Sequence, residues 1–599
     1  MPNSKVEKLW TGNQVYVNSY IYCSFSLQYV CYFCCFNSFF FSQKLVNLKY
    51  IDLSNAKHLR RMPNFSLIPN LESLILQGCT KLESFSSIYY LHKLVILNLQ
   101  GCKGFENLPI SVHWKSLREV NLSDCSNLKT VSYLPCTVEQ LYLNGTAIEE
   151  LLSIEHLFRL KVLSLRKCSR LKRLPESIRE LKSLKHLYLS GCTKLDRLPN
   201  DMENLRALEK LEMDDIALAE IPVFIKGLVN LKALSLARCK VQMRSSISLT
   251  DLLVLQKMES LNLVDCCIKV LTNNIGQFLS LEYLYLNQNN FESLPVSIKD
   301  LSKLRGLYLN NCQRLKSLPE LPINLLYLQA NNCTSLESIS SLLASFLSFR
   351  YYTEEIGFVN CSKLQLDLTD LLLIIERKAD EWRRSKVCTN PIPQACVCYP
   401  GSEIPNWFGC KSNDTFIELP TGWLNDNLIG FVLCVVVPSQ EYQQLRISRV
   451  RFSFIVNGEI SFVGTLFESK EMKAEVIQLD HVFVGYDGCI FSWELQTFNL
   501  NSQGVIEFSV ETMDNPTVCW VKKCGVTLLY AKDDDDDLRR EGRMDRDKRL
   551  KTGHWYADNC LACYLGSWRA HRNLLSYFSE KHGDRWSPIH EGWVSIHYG

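Results

Sequence analysis

The chain has 599 residues, too many for one hydrophobic core, with 47% hydrophobic and 22% charged residues, which excludes wholesale disorder. Its 66 basic and 63 acidic residues leave a net charge of +3, which gives no electrostatic reason to expect nucleic acid or an acidic substrate. Twenty-six cysteines require an account, because they could mark secretion, metal sites or a repeated structural position.

Residues 1–43 read as a partial repeat followed by an odd segment. Val15 to Gln43 is apolar and rich in aromatic residues and cysteine, but carries Asn18, Gln28 and Asn37 and lacks the basic cluster of a signal peptide. It can be read as a translated intron, because Val codons begin with GT and Phe39-Phe40-Phe41-Ser42-Gln43 suits a pyrimidine tract ending in CAG. It can also be read as an ordinary misfitting segment or as a membrane contact. Cys31, Cys34 and Cys35 lack a matching second pair for a metal site.

Residues 44–365 carry about fourteen copies of L-x-x-L-x-L-x-x-C-x-x-L. They begin at Leu48, Leu71, Leu94, Leu117, Val138, Leu160, Leu184, Leu208, Leu231, Met258, Leu281, Leu304, Leu325 and, in degenerate form, Thr353. The L-x-L alternation sends both leucines to one side of a short strand. One copy buries too little apolar surface to offset ordering its own backbone, so the copies must stack. The resulting fold class is an α/β leucine-rich-repeat solenoid, a horseshoe with a concave parallel sheet. Leu-Pro pairs such as Leu174-Pro175 and Leu294-Pro295 mark the start of the convex return. Ten copies place cysteine at the ninth position; Ala56, Thr146, Ile216 and Asn289 fill the others. Those gaps argue against a continuous disulfide or metal ladder and for small buried thiols in a reducing compartment.

A linker with a helix is expected over 366–395, then a run of short strands over 396–532 that reads as an all-β sandwich. The tail, 533–599, opens on Asp533 to Asp537 and contains Cys560-x-x-Cys563; the first reads as a solvated linker and the second is a weak zinc signal.

Phrases such as Leu122-Ser123-Asp124-Cys125-Ser126-Asn127-Leu128 and Leu143-Asn144-Gly145-Thr146-Ala147-Ile148 resemble the repeat region of plant TIR-type nucleotide-binding leucine-rich-repeat disease-resistance proteins. Cys398-Tyr399-Pro400-Gly401-Ser402-Glu403-Ile404-Pro405 and the closing Val521 to Tyr530 look like the post-repeat domain, C-JID, of the same receptors. The resemblance covers about 44–532. It implies a jelly-roll/Ig-like sandwich, a pathogen effector or other protein as ligand, a full-length immune receptor as a further partner, and a cytoplasmic or nucleocytoplasmic setting. A membrane or extracellular receptor of the repeat class is the alternative; its plant examples carry Gly-x-Ile-Pro where this chain has Leu-Pro. No G-x-x-x-x-G-K-[ST] loop occurs and nothing resembles a TIR domain, so neither a nucleotide switch nor cofactor chemistry is expected.

Side chains flanking the inward leucines face outward on the concave sheet. They include Asn98, Asn121, Tyr142, Tyr188, Tyr285 and Tyr308, with Tyr283 and Tyr327 two residues ahead of the Tyr285 and Gln329 positions. These tyrosines, with Trp407 in the post-repeat region, are the candidate protein-binding residues, since Tyr and Trp bury much area at low entropic cost. No acid–base or nucleophilic set recurs at fixed spacing, so a non-enzymatic role is expected.

Overall fold

The computed structural model describes residues 8–10 and 46–530, apart from 63–64, 84–87, 109–113, 132–133, 219–220, 240–251, 340–353, 367, 369–370, 385–393, 425–427, 440–445, 469–475, 488–501 and 513–520. The segment 15–43, the tail 533–599 with its CxxC pair, and Thr353 lie outside the described residues. Two compact units make up the chain: residues 1–345 with 361–366, and 346–360 with 367–599.

In the first unit, three-residue strands pair parallel and in register, one per repeat. Tyr50–Asp52, Ser73–Ile75, Ile96–Asn98 and Glu119–Asn121 begin the series. Tyr283–Tyr285, Gly306–Tyr308 and Tyr327–Gln329 end it. The middle residue of each, such as Ile51, Leu74, Leu187, Leu284 or Leu307, is buried. Lys8–Trp10 joins the same ladder, Leu9 opposite Ile51.

Two local devices turn the chain in each repeat. The residue before the ladder position adopts a left-handed conformation: Gly78, Gly101, Gly145 and Gly191, but also Asp124, Lys167 and Arg238, with φ between 55° and 80°. Its amide then reaches the next repeat, as Gly78 N–H does to Gln100 O at 2.7 Å and Lys167 N–H to Ser190 O at 2.7 Å. On the convex side, Pro175, Pro199, Pro222 and Pro295 each stand immediately before a five-residue 3-10 helix. Proline's fixed φ suits that entry, and its missing N–H is one the helix would not use.

The ladder cysteines do more than fill space. In all ten copies Sγ donates to a backbone carbonyl of the preceding repeat, from Cys79 to Leu53 O at 3.3 Å through Cys168 to Leu143 O at 3.0 Å to Cys361 on Ala330 O at 3.0 Å. All ten are free and buried. Burial pushes the Cys79 and Cys239 thiols up to about 11 and those of Cys125 and Cys266 up to about 12. Asn289 takes over this duty where cysteine is lacking: its amide donates to Leu263 O at 2.8 Å and Leu286 O at 2.9 Å.

The fourteenth copy is divided. Cys361 keeps the ladder bond, but the strand Glu354–Gly357, lacking L-x-L, pairs parallel with Gln394–Pro400 inside the second unit.

In that unit, Gln394–Pro400, His481–Asp487, Leu428–Val437, Lys523–Tyr530 and Cys410–Ser412 form one antiparallel sheet. Phe416–Glu418, Gly504–Thr512, Ile447–Val456 and Glu459–Glu468 form another. Phe431, Leu433, Val435 and Val437 from the first share one apolar cluster with Phe452, Phe454, Ile506 and Phe508 from the second. Trp423 anchors it, 5.4 Å edge-on from Phe454, its Nε1–H donating to Ser502 O at 2.9 Å. Phe431 through Val437 are buried without interruption, so this strand is covered on both faces. The helix Leu371–Arg384, with Leu371, Ile375 and Ala379 buried, packs against it.

Candidate functional site

Outward side chains on the concave sheet fall into zones of different chemistry. At the residue just before each strand, acidic and basic side chains of neighbouring repeats pair. Glu139 lies between Arg118 and Lys161, and Glu209 between Lys185 and Lys232. The hydrogen bond from Lys161, reinforced by Arg118, holds Glu139 below the usual carboxylate range. These pairs satisfy one another and their cationic partners are exposed, so they add little stability.

The middle of the sheet carries Tyr142 and Tyr188. Tyr142 Oη donates to Gln140 at 2.8 Å, and burial raises its phenol above the ordinary value. Tyr188 is half-buried beneath the protein's own cations: the Arg166 guanidinium sits 3.8 Å from its ring centroid and Lys210 Nζ 5.4 Å. Both cations bond Glu212, at 2.6 and 2.9 Å. This knot was not foreseen from the sequence, although Arg166, Tyr188 and Glu212 all fall at outward positions of consecutive copies.

The last repeats are different. Tyr285 and Tyr308, opposite one another in the ladder, stack at 4.6 Å with planes 8° apart. Tyr283 and Tyr327 flank Gly306, one strand to either side. A Cβ on Gly306 would come within 2.9 Å of both Tyr283 and Tyr308, so glycine is what lets these rings lie over the sheet. Around them stand neutral polar groups. Asn310 Nδ2 donates to Gln329 Oε1 at 3.2 Å, and Asn287 Oδ1 accepts from Asn310 N–H at 2.7 Å. Asn98 and Asn121, outward by position, spend their oxygens on the backbone amides of Gln100 and Ser123, each at 3.0 Å.

In the second unit Trp407 is half-buried and stacks on Phe408 at 4.2 Å. Its indole Nε1 is buried and has no hydrogen-bond acceptor among the described residues. Among the described residues no group of three or more His, Cys, Asp or Glu side chains is arranged to hold a metal ion, and no helix is long and apolar enough to cross a membrane.

Comparison with known proteins agrees with these two units. The C-JID domain matches residues 399–535, a leucine-rich repeat region 102–241, and a single leucine-rich repeat 280–301. The disease resistance-like protein DSC1 of Arabidopsis thaliana is 34% identical over 527 residues, 82% of this chain and 42% of that protein. The disease resistance protein RPP2B of the same plant is 34% identical over 526 residues, 82% of this chain and 43% of its own length. Among solved structures, a leucine-rich-repeat protein of Leptospira interrogans aligns with 46% of this chain and 80% of its own, at 23% identity and a TM-score of 0.33. The chain spans about two fifths of the length of the curated relatives it matches.

Proposed function

The chain belongs to the plant disease-resistance proteins, of which it carries the leucine-rich-repeat and C-JID regions, and on that premise we propose that it is a recognition module that binds a pathogen effector or another protein. The concave face of the repeats supplies one contact surface and the C-JID unit, read as a jelly-roll/Ig-like sandwich around the Trp423 cluster, supplies another. The role is binding rather than catalysis, in the cytoplasm or nucleocytoplasm, and a full-length immune receptor is a further class of partner.

The observation that carries this reading is the stacked Tyr285–Tyr308 pair, set between Tyr283, Gly306 and Tyr327 and bordered by neutral amides. Tyr, Asn, Ser and Gly on a rigid frame are the residues that protein-binding surfaces favour, because large rings lose little entropy on contact and small polar groups adapt around them. The strands beneath are held by buried leucines, so the rings are preorganised.

The test grafts Tyr285→Ala plus Tyr308→Ala into a full receptor carrying signalling domains and scores effector-dependent cell death. Recognition should be lost while the melting temperature of the repeat unit stays within a few degrees of the parent. A double variant that recognises its effector normally refutes this placement of the binding face.

A further inference from the structure

The edge of the solenoid that follows the ladder cysteines is charged in a way the whole-chain balance conceals. In the repeats from Lys57 to Arg197 this edge holds exposed Arg60, Arg61, Lys81, Lys103, Arg170 and Arg197, none in a salt bridge among the described residues. Lys57 and Lys194 are exposed beside them and equally outside any such bridge. Three more cations are spoken for: Lys129 by Glu106 at 2.9 Å, Lys172 by Glu149 at 2.7 Å, and Arg173 by Glu150 at 2.6 Å. Only Glu83 and Asp196 remain against the eight unbridged cations, a local excess larger than the net charge of the entire chain.

This edge is a rigid line. A second, minor parallel ladder runs along it, with Glu83 N–H donating to Arg60 O at 3.0 Å, Lys129 N–H to Glu106 O at 2.8 Å and Lys172 N–H to Glu149 O at 3.0 Å. Asn107–Leu108 pairs with Thr130–Val131, and Glu150 bridges to Arg173. At roughly 5 Å per strand, seven repeats set the cations along about 30 Å.

We propose that this basic edge docks an acidic polypeptide segment of a partner protein, on a face distinct from the tyrosine zone. About 30 Å matches a helix of about twenty residues. A polypeptide fits better than nucleic acid for two reasons. Carboxylates recur within the strip, at Glu83, Glu106, Glu149, Glu150 and Asp196, and would oppose a continuous phosphate backbone, whereas carboxylates spaced along a peptide can interleave with them. Apart from the His58 imidazole, the strip offers no exposed aromatic ring among its described residues for a base to stack on; Phe105 is buried. Fields of this kind act chiefly on association rate and partner choice, and weaken with salt.

The experiment uses the full chain and a fluorescein-labelled twenty-residue Glu/Ala helix-forming peptide, read by anisotropy at low and physiological ionic strength. A DNA duplex of equal charge serves as competitor. The peptide should bind in a salt-dependent manner. Arg60→Glu, Arg61→Glu, Arg170→Glu and Arg197→Glu together should weaken it at least tenfold, and the corresponding four Arg→Gln changes should weaken it less. Should the reversal variant fail to fold, the Gln set carries the comparison. Tyr285→Ala plus Tyr308→Ala should leave peptide binding unchanged, which separates this surface from the proposed concave contact. No peptide binding at low salt, unchanged binding by the charge variants, or tighter binding of the duplex than of the peptide each overturns the proposal.

Discussion

Asn289 should resist replacement by the residue that ten other copies use at its position. The preceding repeat turns abnormally: both Asp265 and Cys267 have positive φ, 53° and 54°. Cys266 N–H and Ile268 N–H are therefore turned toward Asn289 Oδ1, at 3.2 and 3.0 Å. Asn289 Nδ2 meanwhile donates to Leu263 O and Leu286 O, so one buried side chain serves two donors and two acceptors. In Asn289→Cys the thiol can recover one donation, to Leu263 O, as its counterparts do. It cannot accept from two amides at once with useful strength. Two buried N–H groups lose their partner, at about 1–3 kcal/mol each, less what relaxation and the retained thiol bond recover. A net loss of about 2–5 kcal/mol is expected. Solenoids unfold along their length, so the direct readout is hydrogen exchange across 263–269, with urea denaturation of the whole chain beside it. Exchange at Cys266 and Ile268 should accelerate by two orders of magnitude or more. Unchanged protection, or a raised midpoint, would show that the amides have another acceptor and that the asparagine is an ordinary substitute for cysteine.

Other outcomes follow from single sites. Lys167→Gly should stabilise the repeat unit by roughly 0.5–1 kcal/mol in denaturation, because Lys167 holds φ at 60° where glycine carries no Cβ penalty. His481 is buried, accepts from Asn360 N–H through Nε2 at 2.9 Å, and burial pulls its pKa down to about 4. The unfolded chain thus takes up the proton first as pH falls, so stability of the second unit should drop by up to about 3 kcal/mol between pH 6.5 and 4 and be flat above. His481→Gln should remove that slope, and a persisting slope would assign it to other groups. Native alkylation near pH 8 should label exposed Cys267 and spare Cys79, Cys125 and Cys239, where on the order of one thiol in a thousand or fewer is ionised; denaturation without reductant should then release all of them. Labelling of Cys125 at the rate of Cys267 would mean that the ladder opens readily.

The repeat register was readable because burial dictates it: Leu284 and Leu307 must face inward, which leaves Tyr285 and Tyr308 side by side. Their stacking geometry was not readable, since it depends on Gly306, whose role appears only when the neighbouring rings are placed. The thiol-to-carbonyl bonds were missed for a related reason. Periodicity shows that the ninth position is small and buried, but the acceptor belongs to a different repeat and emerges only from the stack. In the second unit the runs at Leu428 and Gly504 declared themselves by length and β-branching. Glu459–Glu468 did not, because its burial is partial and its pairing with Ile447–Val456 shifts register twice. The divided fourteenth copy was hidden because Glu354–Gly357 lacks the leucine spacing and its partner strand lies about forty residues downstream.

The pairing of Leu9 with Ile51 has a consequence for how such a molecule can change over generations. Neighbouring strands elsewhere are 21 to 27 residues apart, as Val120 to Leu141 and Leu234 to Leu261, whereas this pair is separated by 42, yet all meet in the same register. Alignment is thus set by the three-residue strands themselves, and the number of residues between one strand and the next is nearly free. Insertions and losses in the returns are filtered weakly by folding, while a single-residue slip in a strand would turn its side chains to the wrong face. Variation can accumulate in the returns of such a protein without disturbing the order in which its outward side chains are displayed.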